Sequence, residues 1–255
     1  MKTVFIGAGN LATHLAIAFK NNGIEIIQVF SRTETSAKQL ADQIGCNFCT
    51  ETNQILADAE LYVYAIKDSE LERIASLTGH FNGIHVHTAG SVDINIFENK
   101  AKKYGVFYPL QTFSKKKSLN FSQIPIFIEA STPKVEQQLI TIAKNISQKT
   151  YSINSLQRAQ LHLSAVFACN FSNLMYSIAA DVVEDAKLPF DVLQPLIAET
   201  ADKINFLTPR QAQTGPAVRY DNVIINKHIK MLSDKPEMAD LYKKLSNIIF
   251  DLSKN

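Results

Sequence analysis

Cysteine is scarce in this sequence, with three residues in a chain of 255. An odd number of cysteines provides no disulfide framework. Cys46 and Cys49 have the spacing C-x-x-C, but no second pair follows. On a strand, two residues three apart point to opposite faces, which is a poor arrangement for a metal. We therefore expect buried, unreactive thiols and no metal site.

Long apolar segments are missing as well. No run of apolar residues approaches the roughly 20 that a transmembrane helix needs. No segment with the pattern of a secretory signal peptide precedes Val4. From these two features we expect a cytoplasmic protein with no membrane partner.

Neither sign of charge dominates the sequence. Lysine and arginine number 26 and aspartate and glutamate number 24, which gives a net charge of +2. This balance is too mild to indicate binding to nucleic acid. The G-x-S-x-G elbow of serine hydrolases, a metal-ligand cluster and a P-loop are also absent. A content of 46% hydrophobic residues is typical of a soluble globular protein.

The first twelve residues carry the signature of a dinucleotide-binding turn. The apolar residues 4–6 predict a buried strand, and Gly7-Ala8-Gly9 predicts a tight turn before a helix. Together with Ala12 they form the pattern G-x-G-x-x-A. Gly7 allows the turn, Gly9 lets a pyrophosphate approach the backbone, and the N–H groups at the helix start bind phosphate. A glycine turn without a ligand is the alternative.

The second predicted strand, residues 24–30, ends in Ser31-Arg32-Thr33. Folds that bind NAD usually place an acidic residue at this point, where it holds the ribose 2′-hydroxyl. Here a guanidinium stands between two hydroxyl groups, and a guanidinium suits a 2′-phosphate. The sequence therefore predicts NADP as the cofactor, with a solvated surface arginine as the alternative.

Predicted strands and helices alternate as far as residue 154. The further predicted strands lie at residues 46–49, 61–66, 84–87, 105–108, 125–129 and 150–153. Beyond residue 154 the pattern is helical, and residues 156–187 form a long segment without glycine or proline. This order predicts an α/β domain over residues 1–154, with a doubly wound parallel sheet of the Rossmann type, and an all-helical domain over residues 155–255.

Several segments of the chain resemble a known superfamily. They are Gly7-Ala8-Gly9-Asn10, His87-Thr88-Ala89-Gly90-Ser91, Tyr108-Pro109-Leu110-Gln111-Thr112-Phe113, His162 with Ala168-Cys169-Asn170-Phe171, and Thr214-Gly215-Pro216 with Arg219-Tyr220-Asp221. The superfamily joins a Rossmann domain to a helical domain and includes pyrroline-5-carboxylate reductase, 6-phosphogluconate dehydrogenase, prephenate dehydrogenase and deazaflavin-dependent NADP oxidoreductases. More closely, the chain resembles bacterial Rossmann-like proteins whose C-terminal domain has no assigned function.

The resemblance implies a nicotinamide cofactor, a small-molecule substrate and a homodimer built from the helical domains, but it does not supply a substrate. The chain departs from its relatives at two places. Lys67-Asp68 stands where relatives usually have an apolar residue, and Tyr108 stands where they often have histidine. Both departures lie where the nicotinamide end of the cofactor is expected.

The carboxyl ends of parallel strands meet at one edge of a doubly wound sheet, and ligands bind there. We therefore expect the cofactor to contact the turns that follow the first, second, fourth and fifth predicted strands. The predicted cofactor-binding residues are Gly7, Gly9, Asn10, Leu11, Ser31, Arg32, Thr33, Ile66, Lys67 and Thr88.

Four polar residues are candidates for the chemistry, namely His87, Gln111, His162 and Asn170. His87 ends the fifth predicted strand, and histidine can donate a proton near neutral pH. His85, assigned to the opposite face of that strand, is expected to be structural. His162 and Asn170 are predicted to share a polar face of the long helix, with Gln111 and Asn170 holding the substrate heteroatom. Structural roles for both candidate histidines stay open.

The long helical segment is apolar on nearly every face, and such a helix must be covered on most faces. This pattern predicts a homodimer through the helical domain. Arg219 follows the break at Gly215-Pro216 and is a candidate for binding a substrate carboxylate or phosphate, in a loop that could close the other subunit's cleft. A surface pairing of Arg219 with Asp221 is the alternative.

The sequence leaves three functions open. The first is an NADP-dependent oxidoreductase that transfers a hydride between nicotinamide and a small carbonyl, imine or hydroxy compound. The second is a non-catalytic NADP-binding sensor or scaffold, and the third is a deazaflavin-dependent NADP reductase. A substrate-sized space bounded by Thr88, Gln111 and the long helix favours an enzyme over a sensor.

Overall fold

The computed structural model describes residues 1–254. Its strands are β1 (Lys2–Ile6), β2 (Glu25–Phe30), β3 (Asn47–Cys49), β4 (Leu61–Tyr64), β5 (Ile84–His87), β6 (Tyr104–Pro109), β7 (Ile126–Ala130) and β8 (Thr150–Ser152). They form one sheet in the order β3-β2-β1-β4-β5-β6-β7-β8. This order confirms the predicted doubly wound sheet, in which the strand order reverses between β1 and β4.

One pair of neighbouring strands departs from the predicted parallel arrangement. β7 runs antiparallel to β6, with Phe107 opposite Ile128. A parallel pair needs a crossover, usually through a helix. The connection from Pro109 to Ile126 contains only the short 3-10 turn Phe121–Gln123, so the chain returns directly alongside β6.

Helices cover both faces of the sheet. They are α1 (Asn10–Asn21), α2 (Glu34–Ile44), α3 (Asp68–Thr78) and α4 (Pro133–Ile146), with further 3-10 turns at Thr52–Gln54 and Ile94–Phe97. Strand β1 lies between two apolar cores. Phe5 packs in the core that contains Leu15 of α1, and Val4 and Ile6 belong to the core that contains Leu71 of α3. Burial on both faces explains why residues 4–6 are all apolar.

Every element described after β8 is helical. The elements are α5 (Ser155–Ala165), a π-helical turn (Val166–Phe171), α6 (Ser172–Asp185), a 3-10 turn (Phe190–Leu193), α7 (Gln194–Lys203), α8 (Pro209–Ala212), α9 (Asn222–Met231) and α10 (Pro236–Ser253). The chain divides into two compact units, Met1–Leu174 and Met175–Asn255. The strands end close to the predicted boundary at residue 154, whereas the compact units divide inside α6.

A buried ion pair ties α5 to the sheet. Arg158 of α5, with its side chain 1% exposed, contacts the carboxylate of Glu129 on β7, which is 14% exposed. Arg158 also donates to the carbonyl of Val92. The same carboxylate accepts hydrogen bonds from the N–H group of Ser155 at 2.9 Å and from its hydroxyl group. These contacts fix the first turn of α5, and Arg158 lies one helical turn before His162.

Few side chains of the second unit are buried within a single chain. Its buried residues in the described part are Ala217, Ile225 and Ser246. Large apolar side chains are exposed instead, among them Phe206 at 87% and Val223 at 79%. The helix Ser155–Asp185, which begins in the first unit, is the one described helix that is long and apolar enough to span a membrane, by length and composition alone.

Candidate functional site

The glycine-rich turn has the geometry that a bound pyrophosphate needs. Gly7 has φ +120°, and a side chain there would meet the carbonyl oxygen of Ala65 at 2.2 Å. The N–H group of Gly7 donates to the carbonyl of Phe30 at 2.8 Å, so the turn is held against β2. At Gly9 nothing lies within 4 Å of the position a Cβ would take. The turn is therefore closely packed at Gly7 and open at Gly9.

The start of α1 completes an anion site. Gly9 is the N-cap and provides no side-chain cap, and the first turn of the helix contains no acidic residue. The first N–H groups of a helix have no partners inside the helix, and together with the helix dipole they favour an anion. Ala12 is fully buried, and its small side chain allows the helix to pack closely on the sheet.

A cleft of about 550 Å³ opens at this turn. It contains every residue predicted to bind the cofactor, namely Gly7, Gly9, Asn10, Leu11, Ser31, Arg32, Thr33, Ile66, Lys67 and Thr88. Gln111 and His162 line the same cleft. The structure thus brings the predicted cofactor residues and two of the catalytic candidates around one space.

A larger cleft of about 990 Å³ lies between α1, α2 and the end of α4. Its walls are amide side chains and exposed lysines such as Lys117 and Lys144. The Gly7–Gly9 turn does not line this cleft. We therefore assign the functional site to the smaller cleft.

The segment after β6 is attached to the glycine turn. The side-chain amide of Asn10 donates to the carbonyl of Phe113 at 3.0 Å, and Nε2 of His14 lies 2.9 Å from the carbonyl of Ser114. Nζ of Lys115 donates to the carbonyl of Ala8 at 3.0 Å. These bonds hold the segment that contains Gln111 beside the Gly7–Gly9 turn. They also give the side-chain amide of Asn10 a protein partner.

Tyr108 and His162 form a polar pair on the cleft wall. The Tyr108 hydroxyl lies 3.1 Å from Nδ1 of His162. A Cβ at residue 90 would come within 2.5 Å of the same nitrogen, so the His162 ring lies directly against the Gly90 backbone. Burial raises the pKa of Tyr108, and the charge of Arg158 opposes that shift. The tyrosine therefore keeps its proton at neutral pH.

His87 does not line the cleft. It is fully buried, Nδ1 accepts a hydrogen bond from the N–H group of Ala89 at 3.2 Å, and its ring stacks on Phe97. Burial lowers the pKa of His87 to about 3, and the charge of Arg158 acts in the same direction. This histidine is therefore neutral at physiological pH and is packed as a core residue.

The assignment of His85 to the opposite face of β5 is wrong. His85 and His87 are two residues apart on a strand and so share a face. Both rings contact Phe97. His85 also bonds to the hydroxyl of Tyr64 at 2.8 Å and to the carbonyl of Phe81, and this network agrees with its predicted structural role.

Asn170 and Arg219 are both exposed, and neither lines the cleft. Asn170 lies in the π-helical turn Val166–Phe171. Arg219 belongs to the second unit, just before α9. Its alternative partner Asp221 caps α9 through the N–H group of Ile224 at 3.2 Å.

Tyr108, Glu70 and Arg73 also line the cleft, although the sequence analysis gave none of them a role in the site. Tyr108 ends a strand at the binding edge, so the rule that found Gln111 could have found it. Glu70 and Arg73 lie on α3 and carry no sequence signal, because their approach to Arg32 depends on the packing of α3 beside β2.

Two family models match the chain. Residues 2–86 match the family described as NADP oxidoreductase coenzyme F420-dependent. Residues 124–249 match the family described as Domain of unknown function (DUF2520). No curated protein matches the chain in sequence.

Solved structures share the whole architecture. The "putative NADP oxidoreductase BF3122" from Bacteroides fragilis is 45% identical, with a TM-score of 0.94 and 98% of each chain covered. Protein TM1727 from Thermotoga maritima is 21% identical, with a TM-score of 0.82 over 99% of this chain and 100% of that one. An imine reductase from Myxococcus stipitatus in complex with NADP+ is 11% identical, with a TM-score of 0.69 over 100% and 93%. The last two show a common fold.

A glycine turn at the switch point of a doubly wound sheet, followed by an uncapped helix, defines a Rossmann-fold dinucleotide-binding protein. At 45% identity over 98% of its length, the chain belongs to the same family as BF3122 from Bacteroides fragilis. In this chain the segment that matches the NADP oxidoreductase family model comes first, and the segment that matches the DUF2520 model follows.

Proposed function

We propose that the protein is an NADP-dependent oxidoreductase acting on an unidentified small carbonyl, imine or hydroxy compound. The observation that carries the proposal is the Tyr108–His162 pair, which lines the same cleft as the Gly7–Gly9 turn. A binding protein needs the turn alone. A polar pair able to hold and pass a proton beside the cofactor site is a feature that an oxidoreductase uses.

The residues present fit the cofactor. Gly7 allows the tight turn, Gly9 leaves the backbone open, and Ser31, Arg32 and Thr33 line the same cleft. When bound, NADP supplies or accepts the hydride. The protein has to position the reacting carbon and to stabilise charge on the neighbouring heteroatom.

His162 is the proposed proton donor for reduction of a C=O or C=N bond. The protonated ring of His162 donates from Nδ1 to the hydroxyl oxygen of Tyr108. Nε2 then donates its proton to the substrate oxygen or nitrogen, which leaves a neutral ring, and the hydrogen bond to Tyr108 stabilises that ring in the Nδ1–H tautomer. Gln111 is proposed to hold the same heteroatom from the segment after β6.

The proposed function is tested by following NADPH absorbance with purified protein and a panel of small aldehydes, ketones and cyclic imines. We expect consumption of NADPH with at least one class of compound. Tight NADP binding without turnover on any compound would instead support the sensor or scaffold function.

A deazaflavin as the hydride partner is the second candidate. The match of residues 2–86 to the coenzyme F420-dependent family favours it. Mixing the protein with NADP and a reduced deazaflavin tests this directly. Growth of NADPH absorbance together with oxidised deazaflavin would identify the second substrate as the deazaflavin.

Arg32 is proposed to bind the 2′-phosphate, which predicts a selective effect of Arg32→Ala. A charge-assisted hydrogen bond contributes roughly 1.5–3 kcal/mol, so NADP should bind about 10- to 100-fold more weakly. NAD lacks the 2′-phosphate, and its affinity should change much less. Isothermal calorimetry with both cofactors measures the difference.

Lys38→Ala is the matched control for Arg32→Ala. Lys38 lies on α2, is exposed, and does not line the cofactor cleft. Lys38→Ala removes one positive charge, as Arg32→Ala does, but at a residue further along the chain. Equal losses of NADP and NAD affinity in Arg32→Ala, or an equal loss of NADP affinity in Lys38→Ala, would contradict recognition of the phosphate by Arg32.

We further propose a homodimer assembled through an all-helical domain over residues 155–255. Leu163, Phe167, Phe171 and Leu174 recur along the long helix and are each about half exposed or more, between 45% and 62%. The rings of Phe167 and Phe171 pack edge to face at 5.0 Å. An exposed apolar stripe of this kind favours a protein partner. A stripe that a second copy of the chain covers agrees with the cytoplasmic location expected from the sequence.

Light scattering at micromolar concentration should give twice the monomer mass of 28.4 kDa. Phe167→Glu places a charge in the stripe and should shift the protein toward monomer, because an unpaired charge in an apolar interface is costly. Leu77→Glu on α3 is the control, since Leu77 is 46% exposed and lies outside the proposed dimer domain of residues 155–255. A monomeric wild-type protein would contradict the proposed dimer.

A further inference from the structure

The cofactor cleft contains an ion triad that its proposed ligand does not require. Glu70 lies between two arginines, with Oε2 at 3.4 Å from Nη1 of Arg32 and at 2.9 Å from Nη2 of Arg73. Nε of Arg73 is 3.3 Å from the same oxygen, so this guanidinium holds the carboxylate with two nitrogens. All three residues line the cleft together with Ser31 and Thr33.

The three side chains differ in their exposure to solvent. The two arginine side chains are 61% and 53% exposed, whereas the Glu70 side chain is 26% exposed. One carboxylate oxygen thus occupies a position between two guanidinium groups. A phosphate oxygen bound by both arginines would take the same position, because guanidinium forks bind carboxylate and phosphate with similar geometry.

We propose that Arg73 is a second arginine of the 2′-phosphate site and that Glu70 competes with the phosphate for both arginines. This inference rests on the proposed binding of NADP. A phosphate monoester carries close to two charges at neutral pH and has three acceptor oxygens. It therefore displaces the single carboxylate of Glu70, but the displacement costs affinity. NAD has no such group, so Glu70 stays on the arginines when NAD binds.

The proposed competition predicts opposite changes in NADP affinity for substitutions of Arg73 and of Glu70. Arg73→Gln removes one guanidinium and should weaken NADP binding about 10-fold. Glu70→Gln removes the competing charge and the repulsion of the phosphate, and should strengthen NADP binding about 10-fold. The affinity for NAD should change less than about 3-fold in both variants.

Calorimetric titration of NADP+ and NAD+ into wild type, Arg73→Gln and Glu70→Gln measures these effects without any turnover. Glu72→Gln is the matched control, because Glu72 lies on the same helix, pairs with Lys100 and is absent from the cleft wall. Thermal unfolding of each variant checks that α3 remains folded.

The outcomes separate this inference from the proposed function. Weaker NADP binding in Glu70→Gln would show that the carboxylate holds the arginines in place for the phosphate and would overturn the competition. Unchanged NADP affinity in Arg73→Gln would exclude Arg73 from the phosphate site. If NADP binds the wild type and loses affinity only in Arg32→Ala, this inference fails and the proposed function stands. Absence of NADP binding to the wild type would overturn both.

Discussion

Replacing His162 by phenylalanine is expected to lower turnover roughly 100- to 10,000-fold, the range typical of a lost general acid. Phenylalanine keeps the ring against Gly90 and removes both nitrogens. NADP affinity should stay within about 3-fold of wild type, because the glycine turn and Arg32 are untouched. Turnover is measured by NADPH absorbance with the substrate found in the compound panel, and affinity by calorimetry.

Tyr108→Phe separates proton donation from ring positioning. The variant removes the single hydroxyl that lies 3.1 Å from Nδ1 of His162. His162 keeps its proton-donating nitrogen but loses the hydrogen bond that stabilises its tautomer, so we expect a smaller fall, about 10-fold. His80→Gln, on an exposed histidine outside the cleft, should behave as wild type.

The competing donor is His87, which the sequence favoured equally. A large loss of turnover in His87→Gln with native stability, together with near-normal turnover in His162→Phe, would transfer the role to His87. The burial of His87 and its pKa of about 3 argue against that result, since a histidine with so low a pKa is a poor proton store at neutral pH.

The cofactor cleft could be anticipated from sequence because its parts are local. A strand, a glycine turn and a helix start within twelve residues specify their own geometry, and the edge rule for parallel sheets collects the other turns. The same rule identified Gln111. It could not decide whether the side chain at a strand end points into the cleft or into the core, and His87 at the end of β5 points into the core.

The polar face of the long helix was predicted with a regular α-helical period. The structure contains a π-helical turn at Val166–Phe171, between His162 and the start of α6. A π turn adds residues to each turn and rotates the side chains that follow. His162 therefore reaches the cleft while Asn170 is exposed and absent from its wall. No residue pattern in the sequence indicated the change of period.

Contacts between distant segments were beyond the sequence for a different reason. Tyr108 meets His162 across 54 residues, and Arg32 meets Glu70 through the packing of α3 beside β2. Such pairs depend on the relative placement of elements, to within a few ångström. A single sequence specifies which elements form far better than it specifies that placement.

Arg158→Met is expected to lower the free energy of unfolding by about 3–5 kcal/mol, the cost of leaving a buried partner charge uncompensated. Arg158 is 1% exposed, and its guanidinium pairs with the carboxylate of Glu129 on β7. Without the guanidinium, the carboxylate of Glu129 keeps Ser155 as its one hydrogen-bond partner within residues 1–254. Urea unfolding followed by circular dichroism measures the loss.

The double variant Arg158→Met with Glu129→Gln identifies the cause. A neutral amide at residue 129 can still accept the hydrogen bond from Ser155 but leaves no buried charge, so the double variant should be more stable than Arg158→Met alone. Lys203→Ala breaks the exposed pair with Glu199 and should cost less than about 1 kcal/mol. A double variant no more stable than Arg158→Met would mean that packing around Arg158, rather than charge, sets the loss.

The same pair of variants connects stability to the site. Arg158 precedes His162 by one helical turn, so we expect its contacts with Glu129 and Val92 to position the His162 ring against Tyr108 and Gly90. In the double variant, a folded protein with native NADP affinity but lowered turnover would show that the ion pair positions the proton donor. Native turnover in that variant would mean that Gly90 and Tyr108 suffice to hold the ring.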